Sequence, residues 1–159
     1  MEATSPEAQA ELTRRHKAAA TTVVGLIVAT VLLSVVAYLS DAYLVEKPNP
    51  PLDIAMRIVI LILGLGAVVW RRNKFQRMRL QDIAGLGGPV ALIRTLEKTT
   101  IQIALLGVTI AALGFIATLM TGNDRYTYWA AAIAIVVLIY SYPTKTSWLR
   151  TLYRFTEKA

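Results

Sequence analysis

Few residues in this 159-residue sequence can do chemistry, and they do not form a group. The absence of cysteine excludes disulfides, thiolate nucleophiles, iron–sulfur clusters and cysteine-based zinc sites. The single histidine, His16, lies in a polar N-terminal segment, so paired haem ligands, a serine–histidine relay and a histidine-based metal site are unsupported. We therefore predict no catalytic residue, no metal site and no cofactor, and expect a protein that is not an enzyme.

One arginine interrupts an otherwise apolar segment. Arg57 follows Asp53 by one helical turn, and a pair at that spacing can neutralise itself while the arginine extends its stem toward water. Ionisable groups within a membrane span are also functional candidates. Arg57 could instead hold a lipid phosphate or an anionic substrate as a bidentate donor, and both interpretations stay open.

A basic cluster follows the same segment, directly after Trp70. It comprises Arg71, Arg72, Lys74, Arg77 and Arg79. In a soluble protein this pattern could indicate nucleic acid, but beside a membrane span it indicates orientation and contact with anionic headgroups. We predict anionic lipids as partners of the cluster and no nucleic acid.

Small residues recur at alternating spacings of three and four along three apolar segments. Such stripes let helix backbones approach closely in lipid. The predicted packing positions are Thr22, Gly25, Ala29, Thr100, Ala104, Gly107, Ala111, Gly114, Thr118, Ala131 and Ala134. The stripes predict a left-handed bundle with the third segment near its centre, and they fit internal packing or a surface for another subunit's helix.

The elements that carry these residues are four apolar blocks. With 55% hydrophobic residues the chain has more apolar surface than a water-soluble protein hides, and a helix needs about 20 apolar residues to cross a bilayer. The predicted spans are residues 18–40, 52–70, 99–123 and 126–144. Residues 1–17 form an N-terminal tail, 71–98 an inner loop and 145–159 a C-terminal tail.

Two segments outside the spans are amphipathic. In 71–98 we predict a short basic helix, a glycine break and a second short helix from Pro89. The apolar residues of this loop are Ile83, Leu86, Val90, Leu92, Ile93 and Leu96, and they favour a position on the membrane surface. The segment after Pro143 is predicted to be a second interfacial helix.

Lysine and arginine are distributed unequally between the two sides. The two tails and the inner loop carry fourteen of these residues, whereas the outer loops carry only Lys47 and Arg125. Basic residues mark the side that is not translocated, so both termini are predicted to be cytoplasmic, in a bacterial plasma (inner) membrane.

Four short helices with little loop are similar in size and layout to the small multidrug resistance exporters. That family has a membrane-embedded glutamate in its first helix, but residues 18–40 contain none. The four-helix rotor proteolipids likewise depend on a carboxylate within a helix. No carboxylate lies between the interfaces in any predicted span, so neither resemblance predicts this chain's activity.

The predicted fold is therefore all-α: a polytopic membrane protein whose four transmembrane helices form two hairpins of an antiparallel left-handed bundle. The predicted function is non-enzymatic and works by helix packing, as an accessory, scaffold or assembly subunit or as a homo-oligomer. The alternative is a small carrier or channel for a lipid or small apolar molecule. Expected partners are anionic headgroups and other transmembrane helices; sensors and pigment- or quinone-binding subunits remain less favoured options.

Overall fold

The computed structural model describes residues 6–40, 50–74 and 77–156, which are helical except at 122–124 and 142–144. The helices are α1 (Pro6–Ser40), α2 (Pro50–Lys74), α3 (Arg77–Thr121), α4 (Arg125–Ser141) and α5 (Lys145–Thr156). The described ranges contain no strand, which confirms the all-α prediction. Most of the predicted outer loop, residues 41–49, lies outside the described residues.

Three helices are long and apolar enough to cross a membrane. They are Pro6–Ser40, Pro50–Lys74 and the part of α3 from Gly85 to Thr121. Helices α4 and α5 pass the same test only as a pair, and they are bent by 47° at the break between them. The described residues thus contain three candidate spans, or up to four if the bent pair crosses as one.

Helix α1 begins well before the predicted span. Its 35 residues rise about 52 Å, whereas a hydrocarbon core is about 30 Å thick. Pro6 suits a first helical turn, and Glu7 in that turn interacts favourably with the helix dipole. Residues 6–17, predicted as a tail, therefore continue the spanning helix beyond its apolar part.

Helix α3 contains the predicted glycine break but not a separate surface helix. Gly88 has φ 67° and ψ −173°, a conformation that interrupts the helix just before Pro89. From Pro89 the helix then runs without another break to Thr121. It ends at Gly122, whose positive φ of 72° lets its amide donate to the Thr118 carbonyl at 2.8 Å.

The break between α4 and α5 falls inside the predicted fourth span. Helix α4 has 17 residues and ends at Ser141, so residues 142–144 of the predicted span are not helical. Tyr142 is extended, at φ −57° and ψ 125°, because the following residue, Pro143, disfavours helical geometry before it. Pro143 also lacks the amide hydrogen that a continued helix would need.

Helix α3 contacts each of the other four helices, in agreement with the predicted central position of the third span. Midway along the molecule, Ile60 of α2, Ile110 of α3 and Ala134 of α4 share one buried cluster with Leu33 of α1 packed against it. Nearer the end of the molecule where α1 begins, Val23, Ala104 and Leu138 form a second cluster. The apolar parts of α1, α2 and α4 are therefore held together by contacts around α3.

Candidate functional site

The end of the molecule where α1 begins carries a helical layer of its own. We call it the basic end: residues 6–19 of α1, 71–74 of α2, 77–100 of α3 and all of α5. Its core joins these helices through buried apolar residues. They are Leu12 and Ala19 of α1, Leu80, Leu92, Ile93 and Leu96 of α3, and Trp148 and Leu152 of α5.

This burial corrects the predicted surface position of two segments. Leu92, Ile93 and Leu96 were expected to lie against lipid, but they are buried inside the protein. Leu86 and Val90 are exposed, as expected for that surface. Helix α5 is amphipathic as predicted, yet its apolar face packs on α1 and α3 because those helices extend far enough to cover it.

Ion pairs fix α1 to α3 at this end. Arg15 of α1 donates to Glu97 of α3 at 2.5 Å and to Glu11, one turn earlier, at 2.5 Å. These hydrogen bonds raise the pKa of Arg15, with Glu97 the main cause, and Arg15 lowers the pKa of Glu11 with help from Arg14. The charged state of each group is therefore favoured in the folded protein.

His16 connects α1 to the break between α4 and α5. Its Nε2 lies 3.0 Å from the carbonyl oxygen of Pro143, and its ring meets Trp148 edge-on with the centroids 5.6 Å apart. The chain's single histidine is thus packed beside the break and contacts residues on both sides of it. Its contacts hold the first turns of α5 against α1.

A pocket of about 280 Å³ opens between α2, α3 and the break between α4 and α5. The end of α2 contributes Arg71 and Arg72, and α3 contributes Leu96 and Thr100. The remaining wall consists of residues 140–144 together with Ser147, Trp148 and Thr151 of α5. Two cations and a group of hydroxyls therefore surround one space, and the described lining residues include no carboxylate.

Arg71 is positioned by an aromatic ring. Its guanidinium carbon lies 4.2 Å from the ring centroid of Tyr140, a distance at which the ring face attracts a cation. Arg71 is half-buried and Arg72 is exposed, so the two cations line the pocket at different depths.

Two hydroxyl residues of the pocket are almost completely buried: Thr100 is 3% exposed and Ser141 is 2% exposed. The hydroxyls of Ser141 and Thr151 donate to helix carbonyls, to Leu138 at 2.9 Å and to Ser147 at 2.8 Å. Their oxygens can still accept hydrogen bonds. Among the described residues, no buried side-chain oxygen or nitrogen lacks a hydrogen-bond partner.

Only part of the predicted basic cluster is seen to line the pocket. Arg71 and Arg72 line the pocket, and Lys74 is half-buried at the end of α2. Arg77 and Arg79 belong to the first turn of α3, but their side chains lie outside the described part of the structure. The structure therefore brings together two of the five predicted lipid contacts.

The predicted pair on α2 lies far along the helix from this pocket. Arg57 is exposed, in the second turn of the helix, and Asp53 precedes it by one turn. The Asp53 side chain is outside the described residues, so the pairing stays a prediction. Arg57 is not among the residues that line the pocket.

The small residues of α3 face α4. Ala104, Gly107, Ala111, Gly114 and Thr118 are all buried. A Cβ built on Gly107 would lie 3.2 Å from Leu138, and one on Gly114 would lie 2.7 Å from the backbone oxygen of Tyr126 and overlap Ala130. Ala131 and Ala134 of α4 are buried as well, and Thr100 is the pocket residue described above.

The small residues of α1 are arranged differently. Thr22 and Ala29 are half-buried, and the Thr22 hydroxyl donates to the Ala18 carbonyl of its own helix at 2.9 Å. Gly25 is exposed, and nothing lies within 4 Å of a Cβ built on it. At Gly25, therefore, no other helix in the described part of the chain packs against the small-residue stripe of α1.

Sequence reasoning identified Thr118 only as a small packing residue. In the structure its hydroxyl donates to the Asn123 carbonyl at 3.0 Å and accepts from the Thr127 amide at 3.2 Å. The two threonine hydroxyls are 2.8 Å apart, so Thr127 is the donor between them. This buried network closes the turn between α3 and α4, and the pairing of two threonines nine residues apart across a Gly-Asn-Asp turn was its only sequence signal.

The described side chains offer few groups that could bind a metal ion. Within residues 6–40, 50–74 and 77–156, no three His, Cys, Asp or Glu side chains are arranged to hold a metal ion. The site's chemistry is that of two arginines, several hydroxyls and aromatic rings, which suits binding of an anion. Comparisons of the chain with protein-family models, curated proteins and solved structures found no match.

Proposed function

We propose that this chain is a non-enzymatic integral membrane protein that acts through its helix surfaces. It serves as an accessory, scaffold or assembly subunit of a membrane complex, or assembles with copies of itself. Its partners are other transmembrane helices and, on the cytoplasmic side, anionic lipids.

The proposed arrangement is an antiparallel left-handed bundle of four transmembrane helices with both termini in the cytoplasm. The tight turn at 122–124 joins α3 to α4, and the alternating spacing of small residues on α3 is typical of left-handed crossings. The lysines and arginines of the basic end support the inner location of that end.

The observation that carries the proposal is the contrast between the glycines. Atoms of α4 occupy the space beside Gly107 and Gly114. Gly25 instead lies on an exposed face of α1, and nothing in the described part of the chain lies within 4 Å of a Cβ built there. The same face carries Val28 and Leu32, which are exposed apolar residues at spanning depth. In lipid, a glycine on an apolar helix face permits close approach of another helix, so this face is suited to a partner.

The test is extraction of the tagged protein in mild detergent, with mass spectrometry of co-purifying proteins and measurement of its mass in the micelle. We expect stoichiometric membrane partners or a discrete homo-oligomer. Gly25→Leu should dissociate it, while Val24→Leu, at a neighbouring exposed position, should not. A monodisperse monomer without partners, unchanged by Gly25→Leu, would contradict the proposal.

The pocket at the basic end favours a second candidate function, a small carrier or channel for a lipid or small apolar molecule. In proteoliposomes a carrier should speed the movement of a labelled lipid between leaflets relative to protein-free vesicles. Equal rates with and without the protein would dismiss this candidate.

A further inference from the structure

We propose that Arg57 holds the phosphate of a phospholipid headgroup on the outward-facing side of α2. The lipid belongs to the leaflet opposite the basic end, and its headgroup is drawn into the span, which thins the bilayer beside α2. Such binding requires the membrane location proposed above, but it is independent of the proposed subunit role.

The pocket gives a common reference level for depth in α2 and α3. Arg71 of α2 and Thr100 of α3 line it together. Farther from the basic end, Ile60 of α2 and Ile110 of α3 share one buried cluster. The two levels are separated by eleven residues in α2 and by ten in α3, so the two helices rise through the bundle in step.

Arg57 lies far inside the outer end of the bundle. It is fourteen residues from Arg71, a rise of about 21 Å, whereas Thr121 at the end of α3 is twenty-one residues from Thr100, about 32 Å. A hydrocarbon core is about 30 Å thick, so Arg57 lies about 10 Å inside the boundary that α3 reaches. Met120 of α3 is apolar and 69% exposed, and it lies beyond the level of Arg57.

Arg57 belongs to an outward-facing stripe of α2. Residues three and four apart share one face of a helix. Ile54 and Leu61 flank Arg57 at these spacings and are 61% and 56% exposed, and Arg57 is itself exposed. A charged group on an apolar stripe that faces lipid has to reach water or headgroups.

The arginine side chain covers only part of that distance. Five bonds separate its Cα from the guanidinium carbon, so the side chain reaches about 6 Å when it extends toward the interface. The boundary at the end of α3 is about 10 Å away. The leaflet therefore has to supply the rest, and local thinning of the bilayer is one way in which a membrane accommodates an arginine in a span.

The phosphate of a phospholipid suits the guanidinium of Arg57 better than water alone. A guanidinium is a planar fork that donates in parallel to two phosphate oxygens. Arg57 also has an interaction within the chain, but its five N–H donors exceed what a single partner, such as one carboxylate, accepts. A headgroup at Arg57 would place its acyl chains along the exposed residues Leu61 and Leu65.

The experiment compares two matched positions of the full chain. Leu61 of α2 and Leu32 of α1 are 56% and 57% exposed, and their sequence neighbours Ile60 and Leu33 pack in one cluster, so the two positions lie at similar depth. Each is replaced by cysteine in the otherwise cysteine-free chain, labelled with a fluorophore and reconstituted in phosphatidylcholine vesicles. Quenching is measured with phosphatidylcholine that carries a nitroxide on its headgroup, and separately with a nitroxide midway along its acyl chain.

The acyl-chain probe should quench both labels equally. The headgroup probe should quench the Leu61→Cys label at least about twofold more than the Leu32→Cys label, because the bound headgroup lies one turn from position 61. Arg57→Leu should remove this difference. Arg125→Leu removes the same charge from an exposed residue at the start of α4 and should leave the difference unchanged.

Two further probes identify the source of the phosphate. Inorganic phosphate in excess should not reduce headgroup quenching at position 61, and a fall to the value at position 32 would overturn the lipid as its source. A headgroup-labelled galactolipid, which has no phosphate, should quench the two positions equally. Preferential quenching by the galactolipid at position 61 would overturn recognition of the phosphate.

Equal headgroup quenching at the two positions, with normal acyl-chain quenching, would overturn the binding at Arg57 and leave the membrane location intact. Weak acyl-chain quenching at both positions would contradict the membrane location and this binding together. The comparison requires no change at Arg57, so it decides even if Arg57→Leu fails to fold. Gly25→Leu should leave the quenching unchanged, so failure of the subunit role would be seen separately.

Discussion

Glycine-to-alanine substitutions at three positions should produce three different effects on stability, because the space beside each glycine differs. The substitutions are Gly25→Ala, Gly107→Ala and Gly114→Ala. Each adds one methyl group to the interior of a helix. Alanine is also the better helix former by about 1 kcal/mol, so propensity alone would stabilise all three variants equally.

The contacts of the added methyl group set the expected differences. At Gly25 nothing lies within 4 Å, so the variant should gain up to about 1 kcal/mol. At Gly107 the nearest atom is Leu138 Cγ at 3.2 Å, a side-chain atom that can move slightly, so the net change should stay within about 1 kcal/mol. At Gly114 the methyl group would lie 2.7 Å from the Tyr126 carbonyl oxygen, which moves only with α4.

Overpacking of this kind costs about 1–3 kcal/mol or more. After the propensity gain, Gly114→Ala should lose about 2 kcal/mol, which is roughly a thirtyfold change in the unfolding equilibrium. The assay is reversible unfolding in mixed micelles, followed by circular dichroism over increasing denaturing detergent. A Gly114→Ala variant as stable as Gly25→Ala would refute the close packing of α3 on α4.

Three further changes test other contacts. Thr118→Val removes the acceptor used by the Thr127 amide and hydroxyl, and it should cost about 1–3 kcal/mol in the same unfolding assay, with Thr118→Ser close to wild type. Leu152→Ala empties a buried position in the basic-end core and should cost about 2–5 kcal/mol and speed proteolysis of α5; unchanged proteolysis would contradict that packing. Because the pKa of Glu11 is lowered on folding from its ordinary value of 4.5, its contribution is present above that pH and is lost as the pH falls through the lowered value. Acidification from about pH 7 to about pH 4 should therefore lower the unfolding temperature less in Glu11→Gln than in the wild type, and equal decreases would argue against the pair with Arg15.

The apolar blocks predicted much of the fold because helices in lipid need only local information. Hydrogen bonds within the segment and about 20 apolar residues suffice to specify a spanning helix. Helices α1 and α2 contain the first two predicted spans, and α3 contains the third predicted span up to Thr121, two residues short of its predicted end. The break at Gly88 before Pro89 lies where those two residues predict it. The fourth span was predicted too long because its apolar composition continues through Tyr142, where Pro143 ends the helix.

The basic end was not predictable in the same way. Leu12 lies among charged residues, and its partners on α3 and α5 are far away in the sequence. The partners Arg15 and Glu97 are 82 residues apart, so no local pattern relates them. The pocket likewise arises from the end of α2, the interior of α3 and the break between α4 and α5. From the sequence, its two arginines were identified as binding residues, and Thr100 only as a packing position.

The central claim is that lipid surrounds the apolar faces of these helices and that the basic end lies in the cytoplasm. The chain has no cysteine, so single cysteines can be introduced at Arg125, Lys145 and Leu32, which are all exposed positions. Intact cells are then treated with a thiol reagent that does not cross membranes, before and after permeabilisation. Arg125→Cys should react in intact cells, Lys145→Cys only after permeabilisation, and Leu32→Cys in neither case. Reaction of Lys145→Cys in intact cells with protection of Arg125→Cys would contradict the orientation, and ready reaction of Leu32→Cys would contradict the membrane itself.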